Sequence, residues 1–307
     1  MSLEKKDLLG MRDTSAEEIL EILKNAAILK KVIEMPSKKA SHLVGKSIIT
    51  LFYENSTRTR MSFELAGKYL SASTSSISAS ASSVQKGETL IDTGRTLDVM
   101  GTDVIIIRHP MSGAPHLLAK HVNASVINAG DGINEHPTQA LLDFFTMQET
   151  FGGFKGLNVT IIGDIYHSRV ARSNIFGLTK LGANVKVFGP NTLMPIGIEN
   201  TGASVAKDLQ SAIDGADVVM ALRIQRERQK GGLFPSVREF NKYFGLDDAI
   251  MKAAAKGALV MHPGPINRGV EINSSVADSE ASKITEQVTN GVAVRMALLY
   301  LLTRRGK

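Results

Sequence analysis

Ser47-Ile48-Ile49-Thr50-Leu51-Phe52-Tyr53-Glu54-Asn55-Ser56-Thr57-Arg58-Thr59-Arg60-Met61 decides the fold. It opens as an apolar run of strand length. From Met61 the pattern turns helical, with Phe63, Ala66, Gly67 and Leu70 at i, i+3, i+4 and i+7 forming one buried face. Between the two, Ser56 to Arg60 can all donate to an anion. A helix N-terminus offers unpaired N–H groups and partial positive charge, hydroxyls add donors, and guanidinium forks match phosphate oxygens two at a time. One Ser or Thr here is an ordinary cap. The whole run reads as a phosphate cradle at the carboxyl end of a strand, where open α/β sheets place ligands.

Upstream, Ser15 to Glu18 is a capping box that opens an amphipathic helix, terminated by Pro36. Downstream, apolar runs near 73–78, 103–107 and 124–128 alternate with helical patterns, which predicts a parallel sheet with crossover helices. A second series follows the helix that starts at Pro137, with candidate strands at 156–164, 184–188, 203–206, 217–222 and 258–262. The last helix, 282–303, is long enough to pack back on the first half. The expected fold is therefore α/β, with two doubly wound parallel-sheet domains joined by interdomain helices. The first domain spans 1–134 and is completed by 286–307; the second spans 135–285. Ser71 to Ser83 holds eight serines in thirteen residues and reads as a mobile linker. Because it leads straight into Lys86-Gly87-Glu88, a functional loop competes with that reading.

With 307 residues, 43% hydrophobic and 21% charged, the chain can bury a core large enough for two domains. No apolar run approaches bilayer length, and Met1-Ser2-Leu3-Glu4-Lys5-Lys6 carries charge where a signal peptide needs apolar residues, so cytoplasm is the expected compartment and no membrane is involved. Zero cysteines exclude disulfides, thiolate metal sites and a cysteine nucleophile. The net charge of +6 raises nucleic acid as a partner, but the basic residues are dispersed, aromatics are 5% and tryptophan is absent, so nucleic acid is not expected. A small anionic substrate uses the surplus charge better.

Further constellations stand at predicted strand ends. Arg108-His109-Pro110 follows one strand and puts a cation at its carboxyl end. His136-Pro137-Thr138-Gln139 opens a helix with Pro at its first position; beside that positive end His136 is expected to stay neutral and donate one hydrogen bond. Gly163-Asp164-Ile165-Tyr166-His167-Ser168-Arg169 follows another strand but lacks G-x-G-x-x-G spacing, so a dinucleotide is poorly supported. Arg223-Ile224-Gln225 follows the strand 217–222. In His262-Pro263-Gly264-Pro265, prolines around a glycine fix backbone carbonyls rather than a side chain.

In this order the motifs, with Lys86-Gly87-Glu88-Thr89, resemble those of the aspartate/ornithine carbamoyltransferase family over essentially the whole chain. The resemblance is to the aspartate branch: the His-Pro-Cys, Ser-Met-Gly and His-Cys-Leu-Pro signatures of ornithine enzymes are absent, and Gly264 stands where some members have Leu. It implies transfer of the carbamoyl group from carbamoyl phosphate to L-aspartate, without cofactor or metal. Carbamoyl phosphate would be held by Ser56, Thr57, Arg58, Thr59, Ser82, Lys86, Arg108, His136 and Gln139. Aspartate would be held by Lys86, Arg169, Arg223, Gln225, Pro263, Gly264 and Pro265. Arg58, Thr59, Arg108 and His136 would act catalytically. The resemblance further implies a homotrimer whose active sites are shared through the loop 80–88, and it leaves a regulatory chain or a dihydroorotase open as a partner. An ornithine-specific enzyme and a non-catalytic anion-binding protein of the same fold are the alternatives.

Overall fold

A computed structural model describes residues 3–78, 87–224 and 236–304. The chain forms two compact units, Met1–Phe145 with Thr289–Lys307, and Thr146–Val288.

In the first unit the order of elements is α1 (Ala16–Glu34), β1 (Ser47–Phe52), α2 (Thr57–Tyr69), β2 (Ser73–Ser78), α3 (Leu90–Val99), β3 (Val104–His109), α4 (Ala114–Ala119), β4 (Ser125–Asp131) and the start of α5 (Pro137–Phe151). Helix α1 begins at the capping box: Ser15 Oγ accepts from the Glu18 N–H at 3.2 Å and Glu18 Oε2 accepts from the Ser15 N–H at 2.8 Å. The strands form a parallel sheet in the order β2-β1-β3-β4. Ile48, Leu51, Ile105, Ile107, Val126 and Ile127 are all buried, as expected of strands covered on both faces. The serine-rich run does not begin as a linker. Ser73–Ser78 is β2, an edge strand in register with β1, where Ser76 Oγ hydrogen-bonds Thr50 Oγ1 at 2.6 Å and Glu64 Oε1 at 2.5 Å. Hydroxyls replace apolar packing at this exposed edge; 79–86 lie outside the described residues.

The second unit runs through β5 (Asn158–Ile162), α6 (Arg169–Lys180), β6 (Asn184–Phe188), β7 (Ser204–Val205), α7 (Leu209–Ile213), β8 (Val218–Ala221), α8 (Val237–Phe244), β9 (Leu259–Met261) and α9 (Ser274–Ala277). Its sheet is parallel, in the order β7-β6-β5-β8-β9. One core cluster, including Ile162, Ile213, Val219, Leu246, Val260 and Ile272, packs beneath it. Helix α10 (Ile284–Thr303) begins in this unit, and its buried face from Val292 to Leu302 belongs to the first.

Both sheets reverse their winding once. The first steps from β1 to β2 on one side, then to β3 and β4 on the other, so the carboxyl ends of β1 and β3 flank the reversal. The second runs β5-β6-β7 outward and then returns to β8 and β9, so β5 and β8 flank it. Crevices outside the carboxyl ends of strands at such reversals are where open α/β sheets bind ligands.

Candidate active site

At the first reversal, β1 delivers the cradle and β3 delivers Arg108. Ser56 is the N-cap of α2 with extended backbone and makes no side-chain cap hydrogen bond, and the first turn holds no acidic residue. The helix end thus keeps its positive character. Thr59 is buried, whereas Thr57 and Arg58 are exposed. The register pairs Phe52 with Arg108, and the Tyr53 N–H donates to the Arg108 carbonyl at 2.8 Å, which sets the two segments side by side. The Arg108 guanidinium is aimed by two acceptors: Nη2 donates to Glu54 Oε1 at 2.8 Å and Nη1 to the Ala129 carbonyl at 3.3 Å. The rings of the neighbouring residues Tyr53 and His109 lie 4.7 Å apart. Burial pushes the Tyr53 phenol up and the His109 imidazole down, so both are neutral near pH 7.

His136 reaches the same sheet edge from the loop after β4. That loop is built on buried carboxylates. Asp131 accepts from the N–H groups of Gly113 and Glu135 and from the side-chain amides of Asn128 and Asn134. Glu135 Oε2 accepts from the Met11 N–H at 2.6 Å and Oε1 from the Arg12 N–H at 3.2 Å. His136 then lies immediately before Pro137 at the head of α5, 4% exposed, with Nδ1 at a long 3.5 Å from Thr138 Oγ1. Gln139, one turn in, donates through Nε2 to Asp143 Oδ1 at 3.0 Å.

In the second unit Arg169 and Arg223 flank the other reversal. Arg169 opens α6 behind the N-cap Ser168, whose Oγ accepts from the Ala171 N–H, and is 3% exposed. The turn before it is fixed by Asp164, which accepts from the His167 N–H at 3.1 Å and from His167 Nδ1 at 3.0 Å. Gly163 has φ +131°, and a Cβ there would meet the Leu222 carbonyl at 2.9 Å, so only glycine lets β5 leave the sheet beside β8. Arg223 follows β8 and is half-buried. Pro263, Gly264 and Pro265 follow β9. Their turn is braced by His262, whose Nδ1 accepts from the Gly264 N–H at 2.8 Å, so its Nε2 donates to Glu271 Oε1 at 3.1 Å. The His262 N–H donates to Gln287 Oε1 at 3.0 Å. Ser82, Lys86 and Gln225 lie outside the described residues. Among the described residues no group of three or more His, Cys, Asp or Glu is placed to hold a metal ion, and no helix is long and apolar enough to cross a membrane.

Thus the cradle, Arg108, His136 and Gln139 gather at one sheet edge, and Arg169, Arg223 and the Pro263 turn at the other. The supports Glu54, Asp131, Glu135, Asp164 and Glu271 were not singled out from the sequence. Glu54, directly between a strand and the cradle, and Asp164, in the strand-end run that leads to Arg169, carried a positional signal.

Two family models match the chain: the aspartate/ornithine carbamoyltransferase carbamoyl-P binding domain over residues 6–149, and the Asp/Orn binding domain over 155–302. The chain belongs to the aspartate/ornithine carbamoyltransferase family. Within this family it is 68% identical over 305 residues to the aspartate carbamoyltransferase catalytic subunit of Acetivibrio thermocellus, covering 99% of this chain and 98% of the relative. Identity to the Moorella thermoacetica catalytic subunit is 61%, covering 98% of each. The fold is similar to ornithine carbamoyltransferase from Pyrococcus furiosus, with a TM-score of 0.88, 31% identity and full coverage of both chains. It is also similar to aspartate transcarbamoylase from Trypanosoma cruzi in complex with carbamoyl phosphate and aspartate, with a TM-score of 0.87, 30% identity and 97% coverage of each.

Proposed function

We propose that this chain transfers the carbamoyl group of carbamoyl phosphate to the amine of L-aspartate, releasing N-carbamoyl-L-aspartate and phosphate, a step of de novo pyrimidine biosynthesis. The observation that carries the acceptor assignment is the pair of arginines, Arg169 and Arg223, at the two strand ends that flank the second sheet's reversal. Two guanidinium groups suit the two carboxylates of aspartate. The likeness to an ornithine enzyme supports the fold; the ornithine side chain is a cation, which Arg223 repels. The catalytic subunits related at 58–68% identity along the whole chain support the aspartate reading.

Carbamoyl phosphate binds first in this reading, its phosphate on Ser56, Thr57, Arg58 and Thr59. Ser82 and Lys86 approach from a neighbouring subunit. Arg108 spans phosphate and carbonyl, and Arg108, Thr59 and His136 donate to the carbamoyl oxygen as the amine attacks. Removing one such donor typically costs about 2.7–4 kcal/mol of barrier. Arg169 and Arg223 hold the acceptor carboxylates, while Gln225 and the carbonyls of Pro263 and Gly264 orient the amine, with Pro265 fixing the turn. Holding both reactants aligned can supply roughly 7–11 kcal/mol with no covalent intermediate. The departing phosphate accepts the amine proton. The working assembly is a homotrimer in the cytoplasm, its first unit binding carbamoyl phosphate and its second aspartate. Initial rates with aspartate and with ornithine at saturating carbamoyl phosphate test this. Aspartate should be carbamoylated and ornithine should not; ornithine turnover at a comparable rate would overturn the acceptor assignment.

A further inference from the structure

Arg295 lies mid-helix in α10, 4% exposed, between the fully buried Val294 and Met296. A guanidinium in such surroundings is retained only where partners offset its desolvation. Its partners lie on the two helices that carry the first unit's site. Nη1 donates to Ser62 Oγ of α2 at 2.9 Å, and the guanidinium carbon lies 5.1 Å from the centroid of the Phe63 ring, also on α2. A Cβ on Gly291 would meet Arg295 Nη1 at 2.5 Å and Leu142 Cδ2 at 3.1 Å, so the group occupies the space beside α5 that a side chain at 291 would take. From α5 it faces the charge of Asp143, itself fully buried; attraction to Asp143 offsets part of the burial that lowers Arg295 to about 10, and the guanidinium is protonated at neutral pH. Asp143 also accepts from Gln139 Nε2. Since a carboxylate only accepts, Gln139 must turn its NH2 toward Asp143 and its carbonyl oxygen away, leaving an acceptor for an NH2 on a ligand.

We infer that Arg295 and Asp143 are positioning residues for the anion cradle: they lock the second turn of α2 against α5 and thereby fix Ser56 to Arg60 relative to Gln139. Ser62 lies about 3–9 Å along the helix axis from the cradle residues, so a shift at this contact is carried to them. The inference rests on the cradle holding the phosphate of carbamoyl phosphate.

The test measures inorganic phosphate binding by calorimetry, well below each variant's unfolding midpoint, together with the separate KM values for carbamoyl phosphate and aspartate. Arg295→Met should raise the phosphate Kd and the KM for carbamoyl phosphate about tenfold or more, and Ser62→Ala about threefold, with the aspartate KM at saturating carbamoyl phosphate within about twofold of the parent. Combining Asp143→Leu with Arg295→Met replaces the buried pair by apolar groups and should recover the unfolding midpoint but not phosphate affinity. Folded Arg295→Met that binds phosphate like the parent, or a double variant that recovers both properties, would overturn the inference. If Arg295→Met does not fold, Ser62→Ala decides, and parental phosphate affinity there sinks the idea. Failure of the parent to carbamoylate aspartate would instead count against the proposed function, and is read in a separate assay.

Discussion

Arg108 is held by Glu54 and the Ala129 carbonyl, so its guanidinium is aimed before substrate arrives. Arg108→Ala should lower kcat by about two to three orders of magnitude, measured at saturating carbamoyl phosphate, because preorganised donors act on charge that develops in the transition state. A loss confined to KM would show that Arg108 serves ground-state binding alone. Arg223→Ala should raise the KM for aspartate roughly ten- to hundredfold while leaving phosphate affinity unchanged; equal loss of both would contradict its placement on the acceptor. Arg108 and Arg223 were legible in the sequence because each stands at the carboxyl end of an apolar run. The carboxylate beneath the His136 loop was not, since its partners are distant in sequence: Glu135 serves the N–H groups of Met11 and Arg12 across 124 and 123 residues.

Strands β1, β3 and β4 were legible because parallel strands buried on both faces read as continuous apolar runs. Strand β2 was ambiguous, because a serine-rich edge strand held through hydroxyl hydrogen bonds resembles a linker in composition. The C-terminal end of α3 is tied to the start of β4 by Asp98, whose carboxylate accepts from the N–H groups of Asn123 and Ala124. Partial burial opposes its ionisation, but those N–H bonds, the Asn123 side chain and Lys6 outweigh it and hold the group below the usual carboxylate value. The stabilisation is therefore present above the unfolded pKa of about 3.9 and is lost as pH falls through the folded value. Asp98→Ala should lower stability by roughly 1–3 kcal/mol near neutrality, and chemical denaturation should show the gap closing below about pH 4. A gap independent of pH would place the effect elsewhere. Gly163→Ala should cost about 1–3 kcal/mol from its left-handed backbone and its approach to Leu222; an unchanged unfolding midpoint would contradict that.

At the scale of the whole molecule, the two reversals put the groups proposed to bind anions at the carboxyl ends of strands in each unit; their positions after apolar runs were legible in the sequence, whereas the strand order was not. The shared-site reading adds that Ser82 and Lys86 act in the neighbouring subunit. Arg58→Ala and Lys86→Ala trimers should each be nearly inactive. Dissociated and reassociated as an equal mixture, they should recover about a quarter of parental sites, since a cyclic interface lets one subunit supply the body and its neighbour the loop. Trimers that stay inactive after verified exchange would show that the loop acts within its own chain. The central claim, that the chain carbamoylates aspartate, is tested most directly by competition in one tube. The enzyme is given carbon-13-labelled carbamoyl phosphate with equimolar aspartate and ornithine, and the products are read by NMR. N-carbamoyl-L-aspartate should accumulate as the dominant labelled product with release of phosphate; citrulline in comparable amount, or label lost only to hydrolysis, would contradict it.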